Sequence, residues 1–166
     1  MNGNLEVRRA GRRDAEGLRS QFPAAGLHDK LADGDADKFV VLVAVEPSAD
    51  EPVGALGIDL GGKTTAPGDP DIFCVAIAEE SHANDGASVW RSLHVEAEQV
   101  LRDLGQDSLG VSIEVTDAGA IKRYESLGYR PTGEHGPYRE LGPGFVEHLH
   151  GYTDPVGFVA DFAKEL

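Results

Sequence analysis

The stretch EVTDAGAIKRYESLGYRP, Glu114 to Pro131, reads as the end of a strand, a short helix and an abrupt stop. Leu109, Val111, Ile113 and Val115 alternate with polar or small residues, the period-two pattern of a strand with one buried face. Asp117 follows as an N-cap, because its carboxylate can accept the unpaired N–H groups of a first helical turn. Ile121, Tyr124 and Leu127 recur at spacing three and share one helix face. Gly128 stands where a left-handed C-cap is wanted, since it has no Cβ to clash there. In that motif the residue after the glycine touches the helix three positions before the cap, so Tyr129 is expected against Tyr124. On these grounds alone Tyr124 is a half-buried core aromatic.

The whole chain supports a folded reading. Its 166 residues, 40% apolar and 27% charged, suit one globular domain over 1–166 with a substantial core. A net charge of −14 argues against nucleic acid and anionic membranes as partners and favours a cationic one, or serves solubility alone. Cys74 is the only cysteine, in the apolar run DIFCVAIA, and reads as a small buried hydrophobe. The N-terminal residues lack the apolar segment of a signal peptide, and no run approaches a membrane span, so a cytoplasmic location is expected.

Leu5 to Arg9 reads as a first strand, and Asp14 as the cap of a helix with Ala15, Leu18 and Phe22 on its face. FVVLVAV is apolar at every position, as for a strand buried on both faces. VGALGIDL returns beside it, and DIFCVAIA forms the next strand. Trp90, Leu93, Ala97, Val100, Leu101 and Leu104 trace the longest helix, whose polar face carries Arg91, Glu96, Glu98, Arg102 and Asp103. His94, beside Leu93, reads as a surface or boundary residue. From Gly133 onward the chain is rich in Gly and Pro, with FVEHLHGY and GFVADFAKEL expected to form a C-terminal hairpin that offers a homodimer contact. His148 and His150 would share a strand face, but no third ligand is evident and no metal is expected. This order of elements predicts an α+β fold: a mixed three-layer arrangement with a mostly antiparallel sheet and about four helices.

VSIEVTDAGAIKRYESLGYRPTG resembles the final conserved segment of the GNAT superfamily of N-acetyltransferases: a strand, Ala-Ile, one Tyr, and a Leu-Gly-Tyr ending. The resemblance extends over roughly Leu5 to Gly133; residues 133–166 are less typical. It implies a sheet of six or seven strands whose fourth and fifth members splay apart to admit acetyl-CoA, and transfer of the acetyl group to a primary amine by direct attack. The acceptor would be a small molecule, and the acidic balance favours a cationic one. In this comparison the fourth strand is Asp71 to Ala78, with Val75, Ala76 and Ile77 along the cofactor. Tyr124 would protonate the departing thiolate, and Asp71 is the candidate base, with Asp14, Glu79, Glu80 and Glu114 as rivals.

The resemblance places the pyrophosphate loop at His82–Ala87, with His82, Asp85, Gly86, Ala87 and Ser88 as cofactor contacts and Asp117 and Lys122 nearby. His82 stands where the family has Gln or Arg, Asp85 where it has glycine, and Asp117 where Asn is commoner. Arg91 and Arg123 are further cations within reach of phosphates. A carboxylate in an anion-binding turn is unfavourable. HANDGAS therefore also suits a second reading, a regulatory module of the same fold that does not bind CoA tightly, and the strands do not exclude a longer acyl group.

Overall fold

The structure, a computed structural model, describes residues 5–32, 37–48, 51–61, 69–79, 86–140, 146–148 and 157–166. Its strands are β1 (Glu6–Arg9), β2 (Phe39–Val45), β3 (Pro52–Asp59), β4 (Asp71–Ile77), β5 (Ser108–Glu114), β6 (Arg130–Glu140), β7 (Val146–His148) and β8 (Gly157–Glu165). The helices among the described residues are α1 (Ala15–Gln21), α2 (Leu27–Ala32), α3 (Gly86–Asp103) and α4 (Ala118–Ser126), with two short 3₁₀ turns around α1. The strands form one sheet in the order β1-β2-β3-β4-β5-β8-β6-β7. Seven of them carry the expected α+β sheet, and the three-residue β7 is added at its edge.

Helices cover both faces of the sheet. Val40, Leu42, Leu56, Ile58 and Ile72 pack with Leu93, Ala97 and Leu101 of α3 and with Ala120 and Tyr124 of α4. Val41, Val43 and Ala55 pack the other way, against Leu18 of α1 and Leu27 of α2. This explains why β2 is apolar at every position, since alternate side chains enter two different cores.

The neighbouring strands β4 and β5 are parallel, and they pair only at Asp71–Gly110 and Ile72–Val111. The register of β4 against β3 shifts between Gly57 and Ile58, which leaves Phe73 as an extra residue. Such a bulge bends its strand and increases the twist. Beyond it β4 follows β3 as far as Ile77–Gly54, while β5 follows β8 as far as Glu114–Val159. The sheet therefore forks at Phe73.

The expected caps form. Asp117 Oδ1 accepts the Ala120 N–H at 2.9 Å. At the far end of α4, Gly128 has φ 95°, its N–H donates to Glu125 O at 3.0 Å, and the Tyr129 N–H donates to Tyr124 O at 3.1 Å. This Schellman arrangement seats the Tyr129 ring edge-on to Tyr124 with centroids 5.3 Å apart. Asp14 differs from expectation: it makes no side-chain cap to α1. It accepts the Gly11 N–H at 2.7 Å and a two-pronged bond from Arg8 at 2.8 and 2.9 Å. That guanidinium lowers the Asp14 pKa against the opposing effect of burial.

Two other expectations need correction. Glu98 is buried rather than on the polar face of α3, and Lys164 of β8 donates to both its carboxylate oxygens at 3.0 and 2.9 Å. A buried carboxylate is tolerated because this cation accompanies it. The C-terminal residues expected as a hairpin are also arranged otherwise. β7 pairs with β6, and β6 lies between β7 and β8. The sequence reading missed β6 because Pro131, Gly133, Gly136 and Pro137 look like turn residues; its register against β8 is broken between Pro131 and His135, where such residues are accommodated. Among the described residues, no helix is long and apolar enough to cross a membrane.

Gly54 sets how closely α3 lies on the sheet. A Cβ there would sit 2.6 Å from Val89 Cγ1 and 3.1 Å from Leu93 Cδ1. A valine in a helix is nearly confined to one rotamer and cannot swing clear. Gly54→Ala should therefore destabilise the protein by about 1–3 kcal/mol in urea denaturation. Gly119→Ala, in the first turn of α4, where a Cβ would meet Asp117 Oδ1 at an ordinary 3.6 Å, should instead stabilise by roughly 0.5 kcal/mol. Equal effects of the two substitutions would contradict close α3–sheet packing at Gly54.

Candidate active site

The fork between β4 and β5 opens into a cleft of about 620 Å³ lined by Val75, Ala76, Ile77, Gly86, Ala87, Trp90, Arg123 and Tyr124. One wall is the end of β4. The Ala78 N–H donates to Val53 O on β3 at 2.9 Å. Because N–H directions alternate along a strand, Ala76 also points toward β3, and the N–H and C=O groups of Val75 and Ile77 point into the gap. A second wall is the first turn of α3, which begins at Gly86 and carries no acidic residue. The leading N–H groups of a helix have no partner within it, and its dipole makes that end favourable to anions. The third wall is α4, which contributes Arg123 and Tyr124.

Tyr124 is 6% exposed, so most of its ring belongs to the core while part of it borders the cleft. Its hydroxyl lies 2.9 Å from His94 Nε2. His94 is fully buried, and its Nδ1 lies 2.7 Å from Trp90 O. A carbonyl oxygen can only accept, so Nδ1 carries the imidazole proton and Nε2 presents a lone pair. Tyr124 therefore donates to His94. The Trp90 ring stacks on the imidazole with centroids 3.9 Å apart, and Arg123 lies 5.7 Å above that indole.

Burial controls protonation here. It lowers the His94 pKa to about 4, partly opposed by the Trp90 carbonyl and aided by Arg123. It raises the Tyr124 pKa, with Arg123 opposing and Cys74 reinforcing the shift. At neutral pH the pair is thus a neutral phenol hydrogen-bonded to a neutral imidazole. Burial likewise pushes the Cys74 thiol up to about 11.

Of the residues proposed from sequence, the fold gathers Val75, Ala76, Ile77, Gly86, Ala87 and Tyr124 around one cleft. Ser88 is exposed on the first turn of α3, and Lys122 is exposed on α4; neither lines the cleft. The Asp117 carboxylate caps α4. Asp71 is buried at the closed end of the fork, in register with Gly110, four residues and roughly 13 Å before Val75 along the strand. His82 and Asp85 lie outside the described residues, as does His150. Among the described residues no three His, Cys, Asp or Glu side chains form a group that could hold a metal ion.

The sequence reading missed the site role of Trp90 and the interior position of His94. Trp90, His94 and Glu98 lie at successive i, i+4 positions, beside the apolar line of Leu93, Ala97 and Leu101. A polar residue bordering an apolar line is the one available signal of a buried, partnered group.

No family model matches the sequence, and no curated protein sequence does. Solved structures match it well. A ribosomal-protein-alanine N-acetyltransferase from Brucella melitensis superimposes with a TM-score of 0.68 at 19% identity, covering 98% of this chain and 100% of that one. A GNAT family acetyltransferase from Elizabethkingia anophelis, with acetyl-CoA bound, gives 0.64 at 14%, covering 98% and 99%. The spermidine/spermine N-acetyltransferase SpeG from Vibrio cholerae gives 0.68 at 13%, covering 97% and 92%. At such identities the likeness is one of fold, and this chain has the GNAT fold.

The depressed His94 pKa has a thermodynamic consequence. Its folded value of about 4 lies below the ordinary 6.5, so between these pH values the unfolded chain binds a proton that the folded protein refuses. Stability then falls as pH drops, by at most about 1.4 kcal/mol per pH unit for one group. Between pH 6.5 and 5, wild type should lose roughly 1.6 kcal/mol more than His94→Gln, which cannot titrate there. Parallel stability curves in urea denaturation would show that His94 is not a buried neutral imidazole.

Proposed function

We propose that the protein is an acyl-CoA-dependent N-acyltransferase that moves the acetyl group of acetyl-CoA to a primary amine of a small molecule by direct attack. The observation that carries this reading is the fork: two strands part beside a phenol, leaving backbone donors unpaired by neighbouring strands. Acetyl-CoA fits such a cleft. The inward N–H groups of Val75 and Ile77 would hold the amides and carbonyl of an extended thioester arm, and an N–H aimed at a carbonyl oxygen stabilises the negative charge that builds there during attack. The first turn of α3, at Gly86 and Ala87, suits the diphosphate, and Arg123 supplies a fixed positive charge at the rim.

Tyr124 acts as general acid to the departing thiolate. Burial keeps its proton in place at neutral pH, and α4, capped at both ends, fixes the phenol relative to β4. The likeness to a polyamine acetyltransferase and the net charge of −14 favour a cationic acceptor, drawn in by long-range attraction. Transfer to an alanine of a protein, the activity that the name of the Brucella ribosomal-protein-alanine N-acetyltransferase states, is the nearest competing acceptor class.

Calorimetry with acetyl-CoA should give a micromolar Kd. Thiol release should then be followed with spermidine, glucosamine and an alanine-leading peptide as acceptors. Tyr124→Phe should lower kcat about 100-fold with KM for acetyl-CoA nearly unchanged; the ring's packing survives, but the buried His94 Nε2 loses its donor, so stability should fall by about 1–3 kcal/mol. No heat at millimolar acetyl-CoA would instead identify a non-catalytic module of this fold, and an unaltered kcat would remove Tyr124 from the chemistry.

A further inference from the structure

We propose that His94 is the positioning residue and proton partner of Tyr124, so that the pair carries one proton from the attacking amine to the leaving sulfur. This rests on the proposed function and deepens it.

The geometry supplies the direction of each proton. Trp90 O accepts from His94 Nδ1 at 2.7 Å, which leaves Nε2 to accept from the Tyr124 hydroxyl at 2.9 Å. The resting phenol therefore aims its proton at the imidazole, and the remaining lone pairs of its oxygen are directed elsewhere. A phenol held this way is a better proton acceptor toward the cleft than a freely rotating one. Two rings fix the pair: the partly buried Trp90 lies over the imidazole, and the buried Tyr129 lies edge-on to Tyr124, seated there by the Gly128 cap.

The balance of the reaction needs such a carrier. A bond forms between the amine nitrogen and the acetyl carbon, the carbon–sulfur bond breaks, and one proton has to travel from nitrogen to sulfur. Tyr124 takes the nitrogen's proton while passing its own to His94 Nε2. It then gives the acquired proton to sulfur and recovers the first from His94. Both residues end as they began, and no other base is consumed. Asp71, at the closed end of the fork, is not needed for this step. The low pKa of His94 keeps the imidazole neutral and ready to accept at physiological pH, and drives the borrowed proton back to the phenol.

Two measurements test this. The first is the ¹⁵N spectrum of the imidazole in the intact protein, read without any ligand. It should show Nδ1 protonated and Nε2 bare, and the opposite tautomer would overturn the inference. The second is a kinetic cycle with acetyl-CoA and the acceptor found among the three amines above. His94→Gln keeps an acceptor for the phenol but cannot take up a proton. It should lower kcat at least tenfold with KM for acetyl-CoA changed less than about threefold. The His94→Gln/Tyr124→Phe double variant should be no slower than Tyr124→Phe alone, because the histidine acts only through the phenol. A merely structural role would give additive losses, which would also overturn the inference. If Tyr124→Phe slows turnover and His94→Gln does not, the proposed function stands and the relay falls. If neither does, the proposed role of Tyr124 falls with it.

Discussion

The fork in the sheet is the constraint on which the rest depends. A strand edge inside a protein presents backbone N–H and C=O groups that need partners. For two residues β4 and β5 supply each other's; from the bulge at Phe73 onward they do not. Each strand is held only on its outer side, β4 by β3 and β5 by β8. The inner edges are left for solvent or for an extended guest carrying its own amides. The cleft is thus a consequence of how the sheet is paired, and the helices only line it.

α3 links this opening to the core by two adjacent lines of side chains. Leu93, Ala97 and Leu101 press onto the sheet, with Gly54 allowing the approach. Trp90, His94 and Glu98 turn toward the following elements: the indole to the cleft, the imidazole to Tyr124 of α4, and the carboxylate to Lys164 of β8. The line Arg91, Val95, Gln99 and Asp103 faces solvent. One rigid helix therefore fixes the cleft wall, the partner of the phenol and an ion pair to the C-terminal strand. A shift of α3 would disturb all three together.

The charge distribution follows the same division. The chain carries a large negative excess, yet the first turn of α3 has no carboxylate and the charged side chain bordering the cleft from α4 is Arg123. Two carboxylates among the described residues, Asp14 and Glu98, are neutralised by Arg8 and Lys164. An acidic exterior attracts cations from a distance, and a locally cationic rim still favours an anion at close range.

The sequence by itself determined most of the elements before β6, and the ends of α4. Period-two and helical spacings, the Asp117 cap and the Gly128 stop act within a few residues, and they appear where the pattern placed them. It also marked the cleft residues of β4 and α3, through the family resemblance rather than through periodicity. Three things were decided only by tertiary structure. His94 is interior because Tyr124, 30 residues away, donates to its Nε2, and Glu98 is interior because Lys164, 66 residues away, neutralises it. β6 is a strand because β8 lies alongside, despite residues that favour a turn. In each case a polar or breaking residue is acceptable only when a distant partner satisfies it, and local spacing holds no information about where that partner will be.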